Sequence, residues 1–118
     1  MDNRIPVTSK MCMTRDVGTH GNLFGGNMLG WMDEAAAIYA RKQTGANHVV
    51  TVKFTEVIFK YVVKVGEIVE FSVSNSRIGN TSITFDLEGY VGETMVVRTE
   101  ATFVAVDEQG RPTVIRRG

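Results

Sequence analysis

Asp33 stands in an uncommon place for a carboxylate. It falls within residues 22–45, NLFGGNMLGWMDEAAAIYARKQTG, where apolar residues recur at helical spacing. At about 100° per residue, Met28, Met32, Ala35, Ala36 and Tyr39 share one arc with Leu29 at its edge, while Glu34 and Arg41 point away. Asp33 belongs to neither group: it lies about 100° from the centre of the arc, on a flank shared with Ala36, Ala37 and Ala40. About two turns earlier, Gly25-Gly26 follows Asn22. A helix start offers unpaired N–H groups and partial positive charge, which suit an oxygen that turns negative as a carbonyl is attacked. Gly26 is then the natural donor. Asp33 can act as general base on water or attack the carbon directly, with Asn22 orienting the carbonyl or the water. A thioester, activated enough to be cleaved without a metal, suits such sparse equipment.

The same residues have plainer readings. Acidic side chains early in a helix complement its dipole, although the benefit fades beyond the first turn and Asp33 lies past it. Asn22 or Asn27 could cap the helix, Gly25-Gly26 could be a tight turn, and Gly45 is a natural stop. Trp31 and the helix methionines read most simply as core or subunit interface. On residues alone, a solvated Asp33 and a catalytic one both remain open.

Composition narrows the classes. A chain of 118 residues reads as a single domain, 1–118, with 43% hydrophobic residues and enough periodicity to fold. Thirteen basic residues balance thirteen acidic ones and form no run, so nucleic acid and anionic membranes are not expected partners. Cys12 is the only cysteine, which rules out an intrachain disulfide and reads as an inert strand residue. With no signal-peptide pattern at the start and no apolar run of membrane-spanning length, the expected location is cytoplasmic. His20 and His48 lack metal-ligand spacing, so no metal is expected; no nucleophile elbow, phosphate-binding loop or dinucleotide fingerprint occurs.

Positioning the helix requires a sheet. Residues 7–15 alternate loosely as a first strand, and residues 16–20 form a loop. Beyond the helix the period changes to 2. Val50, Val52 and Phe54 oppose Val49, Thr51 and Lys53; the alternation continues through Phe59, Tyr61, Val63 and Val65 to a turn at Gly66-Glu67. Val69, Phe71 and Val73, then Ile83, Phe85 and Leu87, then Met95, Val97, Ala101, Phe103 and Ala105, each mark one face of a further strand. A short strand at residues 113–115 and a basic end, Arg116-Arg117, complete the pattern. Short turns imply an antiparallel sheet. One helix covers only part of such a sheet, which must curl, and its bare edges predict at least a dimer.

The pieces Gly21-Asn22-Leu23-Phe24-Gly25-Gly26, Met32-Asp33-Glu34-Ala35-Ala36 and Val49-Val50-Thr51-Val52 together resemble the hotdog-fold acyl-CoA thioesterases, in the YciA-like and cytosolic acyl-CoA hydrolase group. The similarity continues through Val65-Gly66-Glu67, Ile78-Gly79-Asn80-Thr81-Ser82 and Phe103-Val104-Ala105-Val106-Asp107, and spans roughly residues 7–115. The resemblance implies an α+β hotdog fold, with one long central helix wrapped by a curved antiparallel sheet of five or six strands. It implies a homodimer with active sites at the interface, assembling further into a hexamer as a trimer of dimers. Its reaction is hydrolysis of an acyl-CoA to the free acid and coenzyme A, with no cofactor, coenzyme A being part of the substrate. Carried over by residue, Asp33 is the catalytic carboxylate, Asn22 its polar partner from across the interface, and Gly26 the backbone donor. Phe24 and Gly25 beside it, and Arg77, Thr81 and Ser82 further on, are the implied substrate-binding residues. Two departures stand out. Relatives often carry a proline where this chain reads Phe59-Lys60-Tyr61-Val62, and some contact the nucleotide with residues past the last strand, where only Arg116-Arg117 are candidates here. The alternatives are a hotdog acyl-CoA-binding module without turnover and a hotdog dehydratase or hydratase, whose sites pair a histidine with a carboxylate.

Overall fold

The computed structural model describes residues 3–115. Strand β1 (Ile5–Met11) leads through a 3-10 turn (Thr14–Asp16) into helix α1 (Gly25–Thr44), followed by β2 (His48–Phe59), β3 (Ile68–Ile78), β4 (Ser82–Val91) and β5 (Thr94–Val106). The strands form one antiparallel sheet in the order β1-β3-β4-β5-β2. The chain after β1 therefore passes around the helix before β3 returns to pair with it, as the strand–helix–strands order requires.

Alternation in β4 puts Ile83, Phe85 and Leu87 against the helix and Thr84, Asp86 and Glu88 on the outer face. Phe85 is the centre of the core: Tyr39 of the helix meets it edge-on at 4.9 Å, and Phe103 of β5 stacks on it at 6.1 Å. Met28, Met32, Ala35, Ala36 and Tyr39 are all buried, as the helical arc predicts. At the helix end, Gly45 takes a left-handed conformation (φ 71°) and donates its N–H to Arg41 C=O, closing the helix where a side chain would be strained.

Bulges account for most departures from the sequence pattern. In β2 the register shifts between Thr51 and Lys53 and again between Thr55 and Ile58, where Glu56 adopts φ 46°. An extra residue reverses the side-chain faces beyond it. Val49 and Phe54 consequently pack on the core, while Val50 and Val52, expected beside Phe54, are exposed. A shift between Gly89 and Tyr90 acts likewise in the β4–β5 pair, where Met95 is only half-buried and Val96 is buried. Thr99 keeps the period of Val97 and Ala101 and is buried with them, its hydroxyl donating to Thr55 C=O at 2.7 Å.

Other expectations need correction. The first strand ends at Met11, and the expected strand through Phe59, Tyr61, Val63 and Val65 ends at Phe59; beyond it Lys60 N–H bonds Val96 C=O, and Lys64 makes an isolated bridge to Asn22. Residues 113–115 form no strand: Thr113 and Ile115 donate singly to Ala105 and Asn80. Neither asparagine caps the helix. The N-cap is Phe24, without a side-chain bond, and Asn27 Nδ2 instead donates to Asp16 C=O at 2.9 Å, tying the helix start to the preceding turn. Arg116 and Arg117 lie outside the described residues.

Candidate active site at the helix flank

Asp33 projects from α1 toward β2, where Thr51 Oγ donates a 2.7 Å hydrogen bond to its Oδ1. Both residues remain exposed, although Ala36 and Ala40 on the same helical flank are fully buried. The carboxylate thus sits at the margin where the helix leaves the sheet, with one oxygen engaged by a charge-assisted bond. Among the described residues Oδ2 has no hydrogen-bond partner. Thr51 is the residue that sequence reasoning missed. A strict period of 2 groups it with Val49 and Lys53 and away from Phe54; only the bulge after it puts Thr51 and Val49 on the same side as Phe54, facing the helix.

The helix start is built differently. Asn27 and Met28 donate to Phe24 C=O and Phe24 donates to Asp16 C=O, whereas the N–H groups of Gly25 and Gly26 have no acceptor among the described residues. The ring of Phe24 lies over the two glycines nearest it: a Cβ on Gly26 would come within 2.9 Å of Cε2, and one on Gly18 within 3.2 Å of Cδ1. A side chain at position 26 would therefore displace the Phe24 ring, which at 57% exposure has room to move. Asn22 is half-buried; its backbone bridges Lys64 and accepts from Gly18, while its side chain has no partner among the described residues. Beside Gly25 opens a cavity of about 270 Å³, lined by Leu23 and Met28, by Phe59 at the end of β2 and by Lys60, Tyr61 and Val63 beyond it.

Within one protomer these groups do not converge. Gly26 precedes Asp33 by about two helical turns, roughly 10 Å of rise. Arg77, Thr81 and Ser82 are farther still. The helix ends at Thr44 just before β2 begins, His48 pairs with Val106, and Ser82 pairs with Val104, so the 79–82 turn lies at the helix C-terminal end. Arg77 is paired with Thr84 on the outer face, where its guanidinium bonds Glu100 Oε2 at 2.6 Å and Asn75 C=O at 2.7 Å. Ser82 C=O accepts from Gly79 and Thr81 C=O from Ala105, which closes the turn on itself and on β5.

Other reactive groups stand apart. Cys12 is fully buried just past β1; burial, then Asp16 and Glu67, push its thiol above the ordinary value and leave it a poor nucleophile. His20 and His48 are exposed, and among the described residues no group of three or more His, Cys, Asp or Glu could hold a metal ion. No helix there is long and apolar enough to cross a membrane.

Residues 20–98 match the thioesterase superfamily. The chain belongs to that superfamily. It is similar to an uncharacterized acyl-CoA thioester hydrolase of Buchnera aphidicola subsp. Baizongia pistaciae, 35% identical over 92% of this chain and 87% of the relative. The acyl-CoA thioester hydrolase YciA of Escherichia coli K12 is 31% identical over 92% of this chain and 89% of its own. Among solved structures, the hexameric thioesterase y2039 of Yersinia pestis superposes with a TM-score of 0.92 at 29% identity, over 100% of both chains. The five-stranded curved sheet around one helix is thus the hotdog fold of this superfamily.

Proposed function

We propose that Asp33 is the catalytic carboxylate of this acyl-CoA thioester hydrolase, and that each active site is shared by two protomers. The chain hydrolyses acyl-CoA to the free acid and coenzyme A, as its relatives' names state for them. The observation that carries the residue assignment is the Thr51–Asp33 bond, which occupies Oδ1 and fixes the carboxylate while Oδ2 remains open toward solvent. As general base, Oδ2 takes a proton from water as the water oxygen bonds the thioester carbon. The C–S bond then breaks and the proton passes to the departing thiolate. As nucleophile, Asp33 bonds the thioester carbon and the C–S bond breaks, releasing the coenzyme A thiolate, which takes a proton from solvent; water then cleaves the resulting acyl anhydride to the free acid and restores the Asp33 carboxylate. Both routes place negative charge on the carbonyl oxygen, which the open N–H groups of Gly25 and Gly26 suit. No cofactor enters either route.

Since Gly26 and Asp33 stand roughly 10 Å apart along one helix, a single thioester meets both only when they come from different chains. Strand β2 supplies the means: its outer edge is unpaired and carries exposed Val50, Val52, Ile58 and Phe59. Pairing two such edges antiparallel about a two-fold axis covers them and brings each helix flank toward the partner's helix start. Asn22 reaches the reacting carbonyl in the same way. We read the larger assembly as a hexamer of three such dimers, by similarity to hexameric y2039. The lone reduced Cys12 fits a cytoplasmic setting.

Coenzyme A release from an acyl-CoA panel tests the activity; tight binding with no thiol released from any substrate would leave a binding module instead. Subunit mixing tests the shared site. Asp33→Asn and Gly26→Pro variants are each expected to be inactive, and refolding them together at equal amounts restores about a quarter of wild-type activity, because half the dimers are mixed and each holds one intact site. No recovery from folded, mixed dimers places the whole site within one chain.

A further inference from the structure

We infer that the cavity beside Gly25 receives the acyl chain, and that Met28 and Val63 set the longest chain hydrolysed well, at about eight carbons. The inference rests on the thioesterase reading and names the substrate class for it.

The cavity adjoins the one place in the helix where backbone N–H groups are open, so a thioester whose carbonyl faces Gly25 and Gly26 has its acyl chain at the cavity mouth. Its walls are mainly hydrocarbon, with Lys60 the one charged residue lining it, and their burial distinguishes floor from rim. Met28 and Val63 are 3% and 2% exposed, whereas Phe59 and Tyr61 stand out at 50% and 64%. The floor is fixed from both sides. Leu23 N–H bonds Val63 C=O at 2.7 Å, Asn22 bridges Lys64, and Met28 N–H bonds Phe24 C=O at 3.1 Å. The floor is thus made by one chain, whatever a second protomer against β2 adds at the rim.

Size then limits the chain. The volume is about 270 Å³. At about 30 Å³ per water in the liquid, and with a methylene of comparable bulk, it holds about nine non-hydrogen atoms. That is a short or medium acyl group including its carbonyl, far short of a palmitoyl chain. Met28, unbranched and deformable, lets shorter and branched groups settle without a large penalty, while Val63 is stiff.

The experiment is kcat/KM for coenzyme A release from saturated acyl-CoAs of increasing length from acetyl to palmitoyl, each below its micelle concentration, with the assembled wild-type protein and with Met28→Ala and Val63→Phe. Wild type is expected to peak near octanoyl and fall about tenfold or more by palmitoyl. Met28→Ala moves the peak to longer chains and Val63→Phe to shorter ones. A wild-type profile that stays flat or rises through palmitoyl overturns the inference, as does an unmoved peak in either folded variant; if one variant fails to fold, the other and the wild-type profile still decide. Absence of release from every substrate overturns the thioesterase reading itself, a distinguishable result.

Discussion

Two regions of this molecule collect polar side chains, and they differ in what is left over after internal pairing. At the helix flank and start, Asp33 Oδ2 and the N–H groups of Gly25 and Gly26 have no protein partner among the described residues, and Gly25 borders the largely apolar cavity. On the outer face of β3, β4 and β5, groups pair with one another. Arg77 binds Glu100 and Asn75, Asn75 Nδ2 binds Asp86, Thr84 meets Thr102, and Tyr90 OH donates to Glu88. Burial and the Glu88 bond together push the Tyr90 phenol upward, with Arg4 opposing from across its ring. Apart from Ser72 Oγ, which is buried without a partner among the described residues, such a face has spent its hydrogen bonds on itself, whereas the helix flank has kept some for a ligand. Charged residues alone do not mark a site; unspent valence beside an apolar cavity is the better sign.

The largest effect belongs to Asp33. Replacing it with asparagine keeps the shape and the Thr51 contact while removing the negative charge that takes the water proton or attacks carbon. Turnover is expected to fall by roughly 10² to 10⁴, with thermal stability close to wild type because the residue is exposed. A variant that retains more than about a tenth of the wild-type rate would move the base elsewhere and erase the contrast between the two regions.

How far the sequence carried this picture follows from what periodicity encodes. The helix, its buried arc, the Gly45 stop and the inward faces of β3 and β4 are all local patterns of period 3.6 or 2, and they were readable. The bulges in β2 and between β4 and β5 were not, since an inserted residue depends on pairing across the sheet and leaves no fixed local mark. That hid Thr51: a hydroxyl among valines was visible, but a strict period of 2 separates it from Phe54, with which the bulge aligns it. Arg77, Thr81 and Ser82 illustrate the opposite limit. Resemblance gave them a ligand role, but within one protomer their distance from Gly26 became apparent only from the strand order.

Thr51 gives the intermediate effect. Valine matches its shape and removes the donor, so Asp33 loses its anchor and its partner's share of the charge. A hydrogen bond to a charged group contributes about 1.5–3 kcal/mol, so kcat is expected to drop roughly 10- to 100-fold with KM little changed. Thr51→Ser, which keeps the hydroxyl, restores most of it. Equal losses in the serine and valine variants would mean that packing on β2, and not the 2.7 Å bond, matters.

The smallest effect is expected from Arg77→Ala. The Arg77–Glu100 pair is short at 2.6 Å, but its side chains are 53% and 39% exposed, and pairs in that setting contribute about 0.2–1 kcal/mol. Arg77 also bonds the carbonyl of Asn75, whose φ of 54° marks the bulge in β3, so part of that contribution keeps the strand bent. Thermal unfolding should therefore shift by only a few degrees, in line with a loss below about 1 kcal/mol. Within a protomer nothing routes the residue to the helix start, so kcat and KM for acyl-CoA are expected to stay within about twofold, which is under 0.5 kcal/mol. A selective rise in KM of tenfold or more, with kcat unchanged, would show that this face meets the nucleotide end of the substrate from a neighbouring protomer. The two regions would then be two halves of one site, joined only in the assembly.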